Sequence, residues 1–181
     1  MIYVYLANGF EETEMIAPLD LMRRAGLEVK TVSVTSDLLV TGSHGITVKA
    51  DATVFDEDYD ASKAEMVILP GGLPGTTNLE ASEQVRNALT CAYENGKYIC
   101  AICAAPSVLG KMGLLKGKRA VCYPGFEKYL DGAINTDKRC EHDGKFITAV
   151  GMGAAVEFGL KIVEVLCGKE VSEKLKNGIL A

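Results

Sequence analysis

The stretch Tyr98-Ile99-Cys100-Ala101-Ile102-Cys103-Ala104-Ala105-Pro106 decides the fold. Its first five residues form a short apolar run entered from Asn95-Gly96, which reads as a buried strand. Val108, Leu109 and Met112 then recur at helical spacing, and Pro106 sits where a first helical turn needs no N–H. Strand, sharp turn and helix follow without a linker, and Cys103 occupies the turn.

The same grammar repeats on either side. Met1–Leu6 is a β-branched and aromatic run ending at Asn8-Gly9, followed by a helical face at Met15, Leu19 and Met22 that Gly26 can stop. Pro18 either kinks that helix or lies in its first turn. Leu27–Val34 reads as a second strand, and Leu38–Val40 with Ile46–Val48 as a small hairpin. Met66–Leu69 is a strand running into Pro70-Gly71-Gly72, with a helix through Val85, Leu89 and Ala92 behind it. Arg119–Cys122 reads as a strand stopped by Tyr123-Pro124-Gly125. Lys138–Glu141 and Lys145–Ala149 bracket Asp143-Gly144 as a hairpin, before a helix over Ala154–Leu166 and a short one over Val171–Lys176. Strands alternating with helices predict an α/β fold, a doubly wound parallel sheet with helices on both faces and small antiparallel hairpins. One domain over residues 1–181 is expected.

Composition bounds what such a domain does. Of 181 residues, 48% are hydrophobic and 24% charged, with 19 Lys and Arg against 24 Asp and Glu. The net charge of −5, with no basic run, gives nucleic acid no electrostatic footprint. No apolar run approaches the roughly 20 residues that span a bilayer, and the apolar amino terminus has no basic leader. A cytoplasmic location is the expectation, where the six cysteines would be free thiols.

In a doubly wound sheet, ligands bind beyond the carboxyl ends of the strands. Four turns there carry reactive or permissive residues: Asn8–Glu14, Pro70–Gly72, Cys103–Pro106 and Cys122–Pro124. Cys103, at the start of a helix, would meet free N–H groups and the positive end of the dipole, which favour a thiolate. Packing as a small hydrophobe is the competing reading. Gly71 and Gly72 can turn backbone donors toward the same point as the Ala104 N–H, making an oxyanion site. Glu14 sits deeper in its helix than Glu11 or Glu12, so it can face the sheet edge, and a carboxyl beside a sulfur is pushed toward its protonated form. Cys100 belongs to the strand and makes a poor redox partner for Cys103. Cys122 is the better candidate for a resolving thiol, with packing the more ordinary role. His44 and His142 fall in hairpin turns and read as solvated. No metal-ligand spacing and no dinucleotide fingerprint appear, so neither a metal nor a cofactor is expected.

Asn8–Glu14 (N-G-F-E-E-T-E), Leu69–Gly72 (L-P-G-G), Ala101–Pro106 (A-I-C-A-A-P) and Glu157–Val163 (E-F-G-L-K-I-V) together resemble the ThiJ/PfpI superfamily, and within it the YajL-like and parkinsonism-associated deglycase branch. The resemblance runs in order along essentially the whole chain. It implies a flavodoxin-like sandwich, a homodimer, and a reactive elbow cysteine, Cys103, hydrogen-bonded by Glu14 with Gly72 and Ala104 as backbone donors. It also implies a small carbonyl substrate, as in glutathione-independent glyoxalases and deglycases, or else cysteine oxidation sensing or chaperoning. Two departures stand out. Tyr123 aligns where many relatives have a histidine, and a phenol is a weak base at neutral pH, which demotes a peptidase. Val150-Gly151-Met152-Gly153 replaces an Arg-Gly-Pro-Gly turn.

Overall fold

The computed structural model describes residues 1–181. Its first half carries β1 (Ile2–Leu6), α1 (Glu12–Arg24), β2 (Val29–Ser33), the hairpin β3 (Leu39–Thr41) and β4 (Thr47–Lys49), and β5 (Ala52–Thr53). The middle carries β6 (Met66–Leu69), α2 (Gly75–Ala81), α3 (Glu83–Glu94), β7 (Tyr98–Ile102) and α4 (Pro106–Lys111). Then come β8 (Arg119–Ala120), β9 (Ile134–Asn135), β10 (Cys140–Asp143), β11 (Phe146–Ala149), α5 (Ala155–Cys167) and α6 (Lys169–Gly178).

Seven strands form one sheet in the order β10-β11-β7-β6-β1-β2-β5. All its pairings are parallel except β10 with β11. The runs that are apolar at every position occupy its centre, because a strand covered by helices on both faces has no polar side. Val4 lies between Thr31 and Ile68, and Ile68 lies beside Cys100. On one face Tyr5, Val67, Leu69, Ile99 and Ala101 pack with Val85, Ala88 and Leu89 of α3 and Val108 and Leu109 of α4. On the other, Val4, Leu6, Ile68, Cys100, Ile102 and Ile147 pack with Met15 and Met22 of α1 and Phe158, Ile162 and Val163 of α5. Each such large side chain stabilises the fold by roughly 1.5–3 kcal/mol through removal from water. No helix is long and apolar enough to cross a membrane.

The doubly wound sheet matches the sequence reading, with four local differences. Arg119–Cys122 is not a strand of the main sheet. Only Arg119–Ala120 is extended, and it pairs in parallel with β9. Beyond it, the Val121 N–H donates to the Thr148 side chain and the Tyr123 N–H to the Cys103 carbonyl, so the chain leaves any ladder to cross the strand ends. α2 has no counterpart in the reading, since Gly75, Thr76 and Thr77 are weak helix formers and Leu79 is its one large buried apolar residue. Pro18 is in the interior of α1 rather than its first turn, and it is buried against α5, where tertiary packing offsets the missing N–H. The last helix extends to Lys169–Gly178.

Candidate functional site

Three parallel strands end side by side, and the site is built from the turns that leave them. β7 ends at Ile102, and Cys103 comes next at φ 64°. That left-handed conformation is costly for a side chain with a Cβ. Backbone bonds hold it from both sides: the Cys103 N–H donates to the Ala149 carbonyl at 2.9 Å, and its carbonyl accepts the Tyr123 N–H at 2.7 Å. The Ala105 N–H turns back to the Ile102 carbonyl at 3.1 Å, and α4 begins at Pro106. The result is an elbow that lifts the sulfur off the end of the sheet.

β6 ends at Leu69 and delivers Gly71 and Gly72. A methyl at Gly71 would sit 2.6 Å from Cys103 Cβ and 2.7 Å from Glu14 Oε2, so only glycine lets this turn pass between the thiol and the acid. The Gly71 N–H donates to Glu14 Oε2 at 2.9 Å. Glu14 reaches the site from the first turn of α1 and is 1% exposed. Its other oxygen, Oε1, is buried with no hydrogen-bond partner, and the Cys103 thiol is the side-chain neighbour that lowers the carboxyl's pKa. Gly71→Ala should destabilise the protein by about 1–3 kcal/mol and reduce thiol reactivity. Chemical denaturation together with the rate of Cys103 alkylation checks both.

The electrostatics follow from this enclosure. Burial pushes the Glu14 carboxyl up to about 7, with the Glu11 charge adding to it and the Cys103 thiol and Gly71 N–H opposing it. Burial also pushes the Cys103 thiol up to about 12, aided by the Glu14 charge and opposed by the Gly72 and Ala104 N–H groups. The expectation of a resting thiolate is therefore corrected. α4 is six residues long, and its dipole is outweighed by desolvation and a carboxylate neighbour.

The structure brings together all six residues read from the sequence: Cys103, Glu14, Gly71, Gly72, Ala104 and Tyr123. Tyr123 is half exposed, and its ring and the Cys103 sulfur both border Gly151. Cys122 does not join them. It packs into the α3–α4 face of the core, whereas Cys103 packs against the opposite face, so Cys122 is a packing residue. Cys100 is fully buried.

His44 is exposed, as its turn position suggests, yet its ring is engaged. Its Nδ1 lies 2.9 Å from Glu12 Oε2 and 3.2 Å from Glu11 Oε2. Glu12 Oε1 also accepts the His44 N–H at 2.8 Å, so α1 clasps the β3–β4 hairpin. The ligand atoms of Glu11, Glu12 and His44 lie within 4.8 Å of one another, an arrangement invisible in sequence because more than 30 residues separate its halves. Both Glu12 oxygens already serve the hairpin, so the cluster reads as an ion-paired clasp. Hydrogen bonding from His44 and its backbone holds Glu12 down at about 2 against burial, while Glu12 raises His44. The Glu12 contribution is present above its unfolded value near 4.5 and is lost as pH falls toward 2. The His44 contribution is complete below its unfolded value near 6.5 and is lost as pH rises through the folded value. Protection factors for amide exchange over residues 39–49, which divide out the intrinsic pH dependence of exchange, should therefore be highest between about pH 4.5 and 6.5 and fall above that range, and His44→Ala should remove the alkaline fall.

A compact α/β sheet with a cysteine elbow fed by a buried glutamate defines the class, and similarity to known proteins agrees. Residues 1–165 match the DJ-1/PfpI family model, and the chain belongs to that family. It is 37% identical to protein dj-1beta of Drosophila melanogaster over 98% of this chain and 95% of that one. It is 37% identical to protein DJ-1 homolog B of Arabidopsis thaliana over 93% of this chain, spanning only 39% of that longer protein, and it spans 46% of homolog A. The oxidized DJ-1 of Toxoplasma gondii superposes with a TM-score of 0.90 at 37% identity, covering 99% of this chain and 97% of that one.

Proposed function

We propose that this protein acts on small reactive carbonyls as a glutathione-independent, glyoxalase- or deglycase-like enzyme, using Cys103 as nucleophile and Glu14 as proton carrier. The observation that carries the reading is the buried Glu14 carboxyl beside the elbow thiol, with Oε2 held by the Gly71 N–H and Oε1 unpartnered. An acid that titrates near neutrality is suited to take a proton and return it.

For methylglyoxal, the sulfur adds to the aldehyde carbon as Glu14 takes the thiol proton, and the proton is delivered to the carbonyl oxygen to give a hemithioacetal. Glu14 then removes the proton from C1 and returns it at C2 while the C1 hydroxyl proton passes to the C2 oxygen, converting the adduct to a 2-hydroxyacyl thioester. Water hydrolyses the thioester to lactate and restores the thiol. The Gly72 and Ala104 N–H groups stabilise the oxyanion at each addition. The sum is methylglyoxal plus water giving lactate, with no oxidant, metal or cofactor required.

Neither histidine serves the thiol, since His44 engages Glu11 and Glu12 and His142 Nε2 meets the Gly144 carbonyl. A cysteine–histidine peptidase is accordingly disfavoured. A homodimer working in the cytoplasm fits the family and the acidic, thiol-rich composition. The test is lactate formation from methylglyoxal without glutathione. Steady turnover by the wild type is expected, and its absence would overturn the reading.

The same thiol supports a second reading as a redox sensor, in which peroxide oxidises Cys103 to sulfenic and then sulfinic acid and the protonated Glu14 bonds the product. The oxidized state of the Toxoplasma relative favours it. Graded peroxide with intact-mass and peptide analysis distinguishes the two, because a sensor gains oxygen at Cys103 before any other cysteine.

A further inference from the structure

The turn after β11 shapes the open side of the thiol. A side chain at Gly151 would begin 3.3 Å from Tyr123 Cδ2 and 3.9 Å from Cys103 Sγ, so the bare glycine leaves ring and sulfur bordering one surface. Tyr123 is 50% exposed and Met152, the next residue of that turn, is 55% exposed. The ring is supported from behind. Its backbone is tied to the elbow, and it meets Phe126 edge-on at 6.5 Å between centroids, with Tyr129 packed beyond at 5.8 Å.

Charge around this rim is one-sided. Glu14 supplies the charge that acts on the thiol from the α1 side, with Glu11 near it. Arg119 and Lys138 are committed to Glu141, and Arg139, the cation on the Met152–Gly153 turn, is engaged by Glu157 and the Gly153 carbonyl. Cys103 lines none of the principal cavities, so the half-exposed Tyr123 ring is the large apolar surface nearest its open side.

We propose that Tyr123 and Met152 form an apolar lip that sets substrate choice at Cys103, favouring uncharged α-oxoaldehydes with an aromatic or bulky apolar substituent over those bearing a carboxylate or phosphate. The proposal rests on the carbonyl reading of this site. A ring laid against Tyr123 gains aromatic contact and leaves water, whereas an anion there loses hydration and meets the Glu14 charge, the Arg139 cation on this turn being already engaged by Glu157 and the Gly153 carbonyl.

The experiment compares kcat/KM for methylglyoxal, phenylglyoxal and 4-carboxyphenylglyoxal in the wild type, Tyr123→Ala, Tyr123→Phe and Met152→Ala. The wild type should prefer phenylglyoxal to methylglyoxal by about tenfold and disfavour the carboxylated analogue. Tyr123→Ala should bring the phenylglyoxal-to-methylglyoxal ratio toward one, Met152→Ala should lower it partway, and Tyr123→Phe should keep it, because the ring and not the hydroxyl selects. A ratio of one or less in the wild type, or one unchanged by Tyr123→Ala, would overturn the lip. Turnover of none of the three aldehydes would overturn the carbonyl reading instead, and the lip is then judged by alkylation of Cys103. N-phenyliodoacetamide should outpace iodoacetamide, and iodoacetate should be slowest, each normalised to free cysteine. Equal normalised rates, or a preference that survives Tyr123→Ala, would overturn it.

Discussion

Cys103→Ala is expected to reduce lactate formation from methylglyoxal to the uncatalysed background, a loss on the order of 10³-fold or more. Oxyanion donors act on charge that develops only after a nucleophile has added, so Gly72 and Ala104 retain little to stabilise once the sulfur is gone. The variant should fold, because the bonds that hold the elbow, to the Ala149 carbonyl and from the Tyr123 N–H, are made by the backbone, and alanine adopts φ 64° at a cost the cysteine already bears. A second consequence separates a lost nucleophile from a disturbed site. The thiol is one of two groups that hold the Glu14 pKa down, so its removal should raise that pKa above 7, read by carbon NMR of the glutamate side chain. Cys103→Ser keeps a donor and should restore the Glu14 pKa without restoring turnover. Lactate formation by Cys103→Ala at the wild-type rate would remove the cysteine from the mechanism.

How much of this was legible in the sequence depends on the range of the interactions involved. Met66–Leu69 and Tyr98–Ile102 announce central parallel strands because burial on both faces demands an unbroken apolar run. Cys103 announces itself because a strand turning directly into a helix leaves few places for its first residue. Glu14 is legible by its depth in α1 alone. α2 is hidden by glycine and threonine, whose helical state here depends on packing against neighbouring elements, and the Arg119–Cys122 strand is shortened by bonds to Thr148 and Cys103 far away in sequence. The direction of the thiol's pKa was also out of reach. Helix position argues for a thiolate, while burial and a carboxylate brought in from α1 argue more strongly against one, and both require the assembled fold. The clasp of Glu12 on His44 is long-range in the same sense.

Glu14→Gln should lower kcat/KM for methylglyoxal by about 10²–10⁴-fold and at the same time make the protein more stable at alkaline pH. The amide retains an oxygen to accept the Gly71 N–H, so the turn between thiol and acid persists, but it can neither take the thiol proton nor move the one at C1. The wild-type rate should rise with pH through an apparent value near 7 that belongs to the thiol–carboxyl pair, and this limb should vanish in the variant. Stability moves the opposite way. A carboxyl with a folded pKa near 7 and an unfolded value near 4.5 costs nothing below pH 4.5, where both states are protonated. Between pH 4.5 and 7 the unfolded chain releases a proton that the folded chain keeps, so wild-type stability falls across that window by up to about 3 kcal/mol and stays lowered above it. Glutamine carries no such cost. Subtracting the unfolding free energies of the two proteins at each pH cancels the other carboxylates and isolates the Glu14 contribution. A difference that grows from pH 4.5 to 7, joined to the loss of turnover, identifies Glu14 as a base kept at neutrality at the expense of stability. A difference that does not change with pH would mean that Glu14 ionises as freely as an exposed glutamate, and the thiol would then need another group to take its proton.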